Sequence, residues 1–345
     1  MLDVAPHAAA SILSSGLSSS ASSSVVTPWT EQPLRDWSNL APHTVLSAQE
    51  LYPRICVRDP YFALKDVTVM GQGEVVARIP VQQDPDAEAG LIGIAEAGRH
   101  MAILGSCAAA LVTPKDGQHF YLACGARGEW LRREPMARST DLLWGLAQAS
   151  FTGKRTATAR TLLSAPDGTP VFRLEVDYNV LSAAAFTRLF GEARVEMRRE
   201  PRREDNVQRT PEEWARLRQN PYGKALALRD WRPDGESLTA SLGPVTVDMC
   251  KGHFALHPVM PVAIVASGMT RVATTLLRKL EGAPWARVLA KNVNLKADSL
   301  AYAGQTVVFG AARRSHDGAD HVFTCQASVG ERVVAELDVT FERVE

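Results

Sequence analysis

Apolar and polar residues alternate one by one near the end of the chain. Val333, Ala335, Leu337, Val339 and Phe341 interleave with Val334, Glu336, Asp338, Thr340 and Glu342. A period of two predicts a strand with one buried face. A comparable segment, DGTPVFRLEVDYNVL, closes the first half of the chain at 167–181. The pattern changes over 91–112 (LIGIAEAGRHMAILGSCAAALV) and 261–280 (PVAIVASGMTRVATTLLRKL). Both stretches are long, almost wholly apolar and rich in small residues, which predicts helices buried on nearly every side. Several further strand-like segments follow each helix.

The two halves also open alike. YFALKDVTVMGQGEVVARIPV (61–81) and KALALRDWRPDGESLTASLGPV (224–245) share Leu-Lys/Arg-Asp, a short connection, Gly-Glu and an alternating strand. Each half therefore runs strand, helix, then strands. An α+β fold follows, in which an antiparallel sheet wraps one buried helix, twice over. The predicted boundaries are a flexible Ser/Ala-rich segment at 1–48, one domain at 49–195, a linker at 196–221 and a second domain at 222–345. Dense charge and three prolines mark that linker, and Thr210-Pro211-Glu212-Glu213 inside it reads as a helix start. Its Arg-rich run at 194–208 is either a solvated connection or a docking patch for an acidic partner.

Composition narrows the function by exclusion. The chain has 345 residues and a formal net charge of +0, so no global field favours nucleic acid or a membrane surface. Its five cysteines are scattered and never form a CxxC pair, which argues against a disulfide framework or a zinc site and fits a reducing cytoplasm. The opening residues carry no Lys or Arg ahead of an apolar core, so they do not read as a secretory signal. No Walker motif, HExxH or GxSxG occurs, so a nucleotide, a catalytic metal or a serine nucleophile is not expected.

The sharpest local signal is GHFALHPVMPVAIVASGM at 252–269. It resembles the GHFPxxPxMPG signature of the bacterial 3-hydroxyacyl-carrier-protein dehydratases, a hotdog-fold family, in Gly252, His253, Phe254, Pro258, Met260 and Pro261. It departs at Val262, where that family has Gly. The resemblance implies a fused double hotdog with a tunnel between its halves and an acyl chain on phosphopantetheine as substrate. It implies acyl-carrier protein or acyl-CoA as partner, no cofactor or metal of its own, and leaves room for a homodimer of such double hotdogs.

In that family an acid lies on the central helix fourteen residues after the histidine. Here that position is Ser267. The first half, however, reads IAEAGRHMA, similar to the family's LEAMAQAA, and places Glu96 on the acid position. Fourteen residues before Glu96 stands Gln82, with no histidine. Because paired hotdogs build each site from both modules, the resemblance implies one surviving site from His253 and Glu96, with Gln82 and Ser267 facing each other in a dead one. His253 would take the C2 proton, and Glu96 would protonate the leaving hydroxyl or orient the water. Backbone N–H groups near Val262 would stabilise the thioester oxygen, with Gly252, Phe254 and Pro261 lining the substrate's path. Arg99, His100 and His257 read as structural polar residues, and Cys107 and Cys250 as small apolar fillers. A hotdog thioesterase and a non-catalytic acyl-binding subunit are the competing expectations. Val262 and Ser267 favour the latter.

Overall fold

The structure, a computed structural model, describes residues 44–84, 86–113, 117–132, 142–190, 220–254 and 257–344. The Ser/Ala-rich start and most of the charged linker, with its helix start and Arg-rich run, lie outside the described residues.

Among the described residues the first half contributes six strands: β1 (Lys65–Gly71), β2 (Glu74–Ile79), β3 (His119–Trp130), β4 (Leu143–Phe151), β5 (Thr156–Ser164) and β6 (Pro170–Ser182). The second contributes β7 (Arg229–Asp234), β8 (Ser237–Leu242), β9 (Val288–Ala297), β10 (Val307–Asp317), β11 (Asp320–Val329) and β12 (Arg332–Arg343). All twelve join one sheet in the order β1-β2-β4-β5-β6-β3-β9-β12-β11-β10-β8-β7. Every ladder is antiparallel, and the second six repeat the first six in mirrored order. The seam is the β3–β9 ladder, from Gly125 opposite Lys296 to Glu129 opposite Asn292.

The shared Leu-Lys/Arg-Asp opening has a shared backbone. Asp66 and Asp230 both adopt φ 52°, and each lies where its edge ladder shifts register. An extra residue of this kind bends and twists an edge strand, which spoils it as a template for another chain.

Two helices of equal length fill the concave face. α2 (Ile94–Val112) packs on β2, β4, β5 and β6, and α4 (Val262–Leu280) packs on β8, β9, β10, β11 and β12. A short helix, α1 (Ala48–Ile55), precedes them, and α3 (Ala183–Phe190) follows β6. α2 and α4 also pack against each other. Ile264, Val265, Met269, Val272, Leu276 and Leu277 of α4 are buried, each worth roughly 1.5–3 kcal/mol relative to an exposed side chain. Small residues set how closely helix and sheet approach. A Cβ at Gly105 of α2 would lie 2.5 Å from the Tyr178 hydroxyl of β6. Among the described residues no helix is long and apolar enough to cross a membrane.

Candidate functional site

The loop before α4 is built onto the first half of the chain. The Arg58 N–H donates to the Gly252 carbonyl at 2.8 Å, and the Phe254 N–H donates to the Cys56 carbonyl at 3.2 Å. Gly252 has φ 82°, and a Cβ there would stand 2.3 Å from the Arg58 carbonyl oxygen. No other residue allows this approach. His253 is thereby held at the seam between α2 and α4. Its ring stacks on Phe254 (centroids 3.9 Å apart) and meets the edge of Tyr61 (5.1 Å).

His253 Nδ1 lies 3.2 Å from the Val259 carbonyl oxygen. A carbonyl only accepts, so Nδ1 carries the proton and Nε2 keeps its lone pair. The ring is partly open to a cleft that is itself walled by protein, so bulk water solvates it poorly. Desolvation drives its pKa down to about 4, against a smaller upward pull from Val259. At neutral pH the imidazole is neutral and basic at Nε2.

The cleft beside His253 holds about 1060 Å³, open solvent at its mouth included. Phe254, Val262, Ala263 and Tyr61 line it on the histidine side, and Ala102, Ile103 and Ser106 of α2 line the other. Val262 and Ala263 begin α4, where the helix offers their N–H groups no carbonyl and its dipole favours negative charge. The Val262 side chain narrows the cleft but leaves its backbone donor in place. Pro261 is the N-cap of α4. It and Gly252 do not line the cleft. They fix the loop and the helix start, so their expected place along the substrate's path becomes a positioning one.

Glu96 is not brought to this cleft. It lines a separate cavity of about 790 Å³ together with Gln83, Tyr222 and Ser267. Its carboxylate accepts the Gln82 N–H at 2.7 Å and the Gln83 N–H at 3.1 Å. Arg99 lies 3.6 Å from the same carboxylate, and all of these side-chain atoms are shielded from water. Arg99 in turn donates to the Gln82 side chain and, at 3.0 Å, to His100 Nε2. Burial, reinforced by Arg99, pushes the His100 pKa down to about 4, so that ring is neutral.

The reason is a difference in loop length. His253 stands eight residues before the N-cap of α4, whereas Gln82 stands eleven before Gly93, the N-cap of α2. Fourteen residues on from each therefore reaches different helical positions. Ser267 is the sixth residue of α4 but Glu96 the third of α2. Three residues displace a side chain by about 4.5 Å along the axis and leave it about 60° short of a full turn. The residue of α2 equivalent to Ser267 is Arg99. The two cavities confirm this register: Thr270 and Thr274 line the one with Glu96, and their α2 counterparts Ala102 and Ser106 line the one with His253.

Tyr61 is the site residue that counting from the motif misses. Its signal is faint but present: Pro60-Tyr61 precedes Leu64-Lys65-Asp66 as Pro221-Tyr222 precedes Leu228-Arg229-Asp230. The two tyrosine rings meet edge-on, 5.2 Å apart, and the Arg99 guanidinium stands over both. His257 packs among Phe120 and Phe186, away from the cleft. Cys107 and Cys250 are buried, and desolvation raises both thiols to about 12, out of nucleophilic range. Lining neither cavity, ligand atoms of Glu281, His316 and His321 lie within 4.8 Å of one another. Arg313 and Arg343 already pair with that glutamate, at 3.5 and 3.3 Å, and oppose a cation there.

No family model matches the chain. It is similar to the 3-hydroxyacyl-[acyl-carrier-protein] dehydratase FabZ of Rhizobium leguminosarum bv. trifolii (strain WSM2304), 31% identical over 109 residues, which is 31% of this chain and 70% of that protein. Among solved structures, it resembles the tesB protein of Mycobacterium avium subs paratuberculosis (TM-score 0.52, 13% identity, 81% of this chain and 96% of that one). It also resembles the 12:0-ACP thioesterase from Umbellularia californica (TM-score 0.51, 11% identity, 79% and 95%). At such identities these likenesses concern the fold alone, an antiparallel sheet wrapped on helices in the hotdog manner.

Proposed function

The chain belongs to the family of the 3-hydroxyacyl-[acyl-carrier-protein] dehydratase FabZ, and from that premise we propose that it is a double hotdog that removes water from a 3-hydroxyacyl thioester in the cleft beside His253. The domains at 49–195 and 222–345 are the two modules of that double hotdog. The observation that carries the reading is the His253–Val259 hydrogen bond. It fixes the tautomer, leaves Nε2 unprotonated and orients the ring without a carboxylate partner.

The chemistry follows from the wall of the cleft. A thioester carbonyl seated on the Val262 and Ala263 N–H groups acidifies the C2 protons, because negative charge arriving on its oxygen meets unpaired donors and the positive end of α4. His253 Nε2 removes the C2 proton. The electron pair forms the C2–C3 double bond, and the C3 hydroxyl departs. The volume of the cleft and its apolar lining, Ala102 and Ile103 included, suit an acyl chain on a phosphopantetheine arm. Acyl-carrier protein and coenzyme A both present such an arm, in fatty-acid or polyketide assembly. Glu96 takes no part as acid in this reading. It holds the 82–83 loop and neutralises Arg99.

Thioester hydrolysis is the competing reaction, since the curated relative is a dehydratase while the structural neighbour from Umbellularia californica is named a 12:0-ACP thioesterase. The carboxylate that would activate water is the weak point. Asp298 is the carboxylate among the described residues lining this cleft; it is half-exposed and paired with Lys296 at 2.8 Å. Mass spectrometry of a 3-hydroxyacyl-coenzyme A substrate separates the reactions. The proposal predicts an intact thioester lighter by one water, and release of the free acid would replace it with hydrolysis.

A further inference from the structure

The cleft holds a base but no carboxylic acid on its helix wall, so the proton for the departing hydroxyl needs another source. The hydroxyls that line it are mostly committed. Tyr178 donates to the Ala102 carbonyl at 2.7 Å and Ser106 to the Ile103 carbonyl at 2.7 Å. Tyr121 and Thr113 share one hydrogen bond of 2.5 Å. Ser299 accepts from Arg332 and keeps its own proton, but an alkyl hydroxyl is a much weaker acid than a phenol. Cys124 directs its thiol to the Asp177 carbonyl at 3.4 Å.

Tyr61 differs. Its ring is buried, at 5% exposure, between His253 and Tyr222. No hydrogen bond to a described residue engages its hydroxyl, and that oxygen is not among the buried polar atoms left without a partner. The oxygen therefore keeps some exposure, and the cleft is the space that Tyr61 lines. The phenol lines the same space as His253, on the histidine side, anchored by Arg99 behind the ring.

Resting on the dehydratase reading above, we propose that Tyr61 is the catalytic acid of the cleft, its O–H donating to the C3 oxygen of the substrate. The step balances within the site. His253 Nε2 accepts the C2 proton, the C2–H electron pair becomes the double bond, the C3–O bond breaks, and the Tyr61 proton leaves with that oxygen as water. The imidazolium then returns its proton to the phenolate, which restores both groups. Burial raises the Tyr61 pKa, with Arg99 opposing the rise, so the phenol stays protonated at neutral pH. A protonated phenol has its O–H available to donate to the oxygen as it departs. The carboxylate lost from this position of the helix is thus replaced from the segment on the other side of the histidine.

A leaving group that needs no proton tests this. 3-Hydroxybutyryl-coenzyme A and 3-chlorobutyryl-coenzyme A share the C2 proton, but chloride departs as an anion. Tyr61→Phe keeps the ring and its packing. The expected result is a loss of about 100-fold in water elimination, with chloride elimination within about threefold of the wild type, where the required acid contribution vanishes. Equal loss on both substrates, or no loss on either, overturns the assignment of Tyr61 while leaving the dehydratase reading intact. A wild-type chain that releases free acid from the hydroxy substrate overturns the underlying reading instead, and the Tyr61 role with it.

Discussion

His253 shows how one backbone hydrogen bond can set a functional group. With Nδ1 committed to Val259, its proton cannot migrate to Nε2, and a buried neutral ring is a base at every pH above its depressed pKa. The sign is definite. Burial lowers the pKa from 6.5 to about 4, so the base is lost only on acidification through about 4. The acid limb of kcat/KM is therefore expected near pH 4 to 5, well below that of an ordinary histidine. A limb at 6.5 would show a solvated ring and contradict the geometry. Glu96 shows the opposite case, a charge kept for structure. Replacing it by Ala leaves Arg99 buried without its counter-ion, for which a loss of about 3–5 kcal/mol is expected in denaturant unfolding. Turnover per folded molecule should stay within about threefold of wild type, as befits a residue with no part in acid–base transfer. Unchanged stability with turnover abolished would return the carboxyl to the acid role.

At the scale of elements, the helices and strands were legible and the loops were not. The apolar stretches at 91–112 and 261–280 correspond to α2 and α4, whose apolar composition left them no exposed face. The alternation around Val333–Phe341 is β12, although at its start, beside a register shift, Val334 is buried and Val333 only half-buried. The candidate site was half legible. GHF and MP marked the loop that carries His253 toward α4, because glycine and proline carry backbone information that survives in sequence. Counting residues to the acid failed, because three additional residues in the first half's loop change the helical position without changing the count. Tyr61 stayed hidden because a tyrosine after proline carries no spacing rule, and only the fold brings it to the histidine. Gly252 makes the loop testable. Gly252→Ala would place a Cβ against the Arg58 carbonyl at φ 82°. A destabilisation of about 1–3 kcal/mol is expected, read as a shift of the urea midpoint, together with a fall in turnover as His253 loses its seat. Unchanged midpoint and turnover would mean that the clamp does not hold the histidine.

For the whole molecule, the two halves of the chain share a strand order but not a cavity lining. The mirrored strand order and the matched positions on α2 and α4 give two equivalent cavities, one with a histidine and free helix N–H groups, the other walled by Glu96, Ser267 and a mixed set of charges. Both modules are needed for the first cavity, since the His253 loop is hydrogen-bonded to residues 56–58 and faces α2. Everything depends on His253 acting as the base within that shared cleft. The most direct test is elimination from 3-hydroxybutyryl-coenzyme A by the wild type and by His253→Gln, with the thioester product weighed in each case. The account predicts an enoyl thioester from the wild type and a rate at least about 100-fold lower from the variant. Elimination by His253→Gln at the wild-type rate would contradict it.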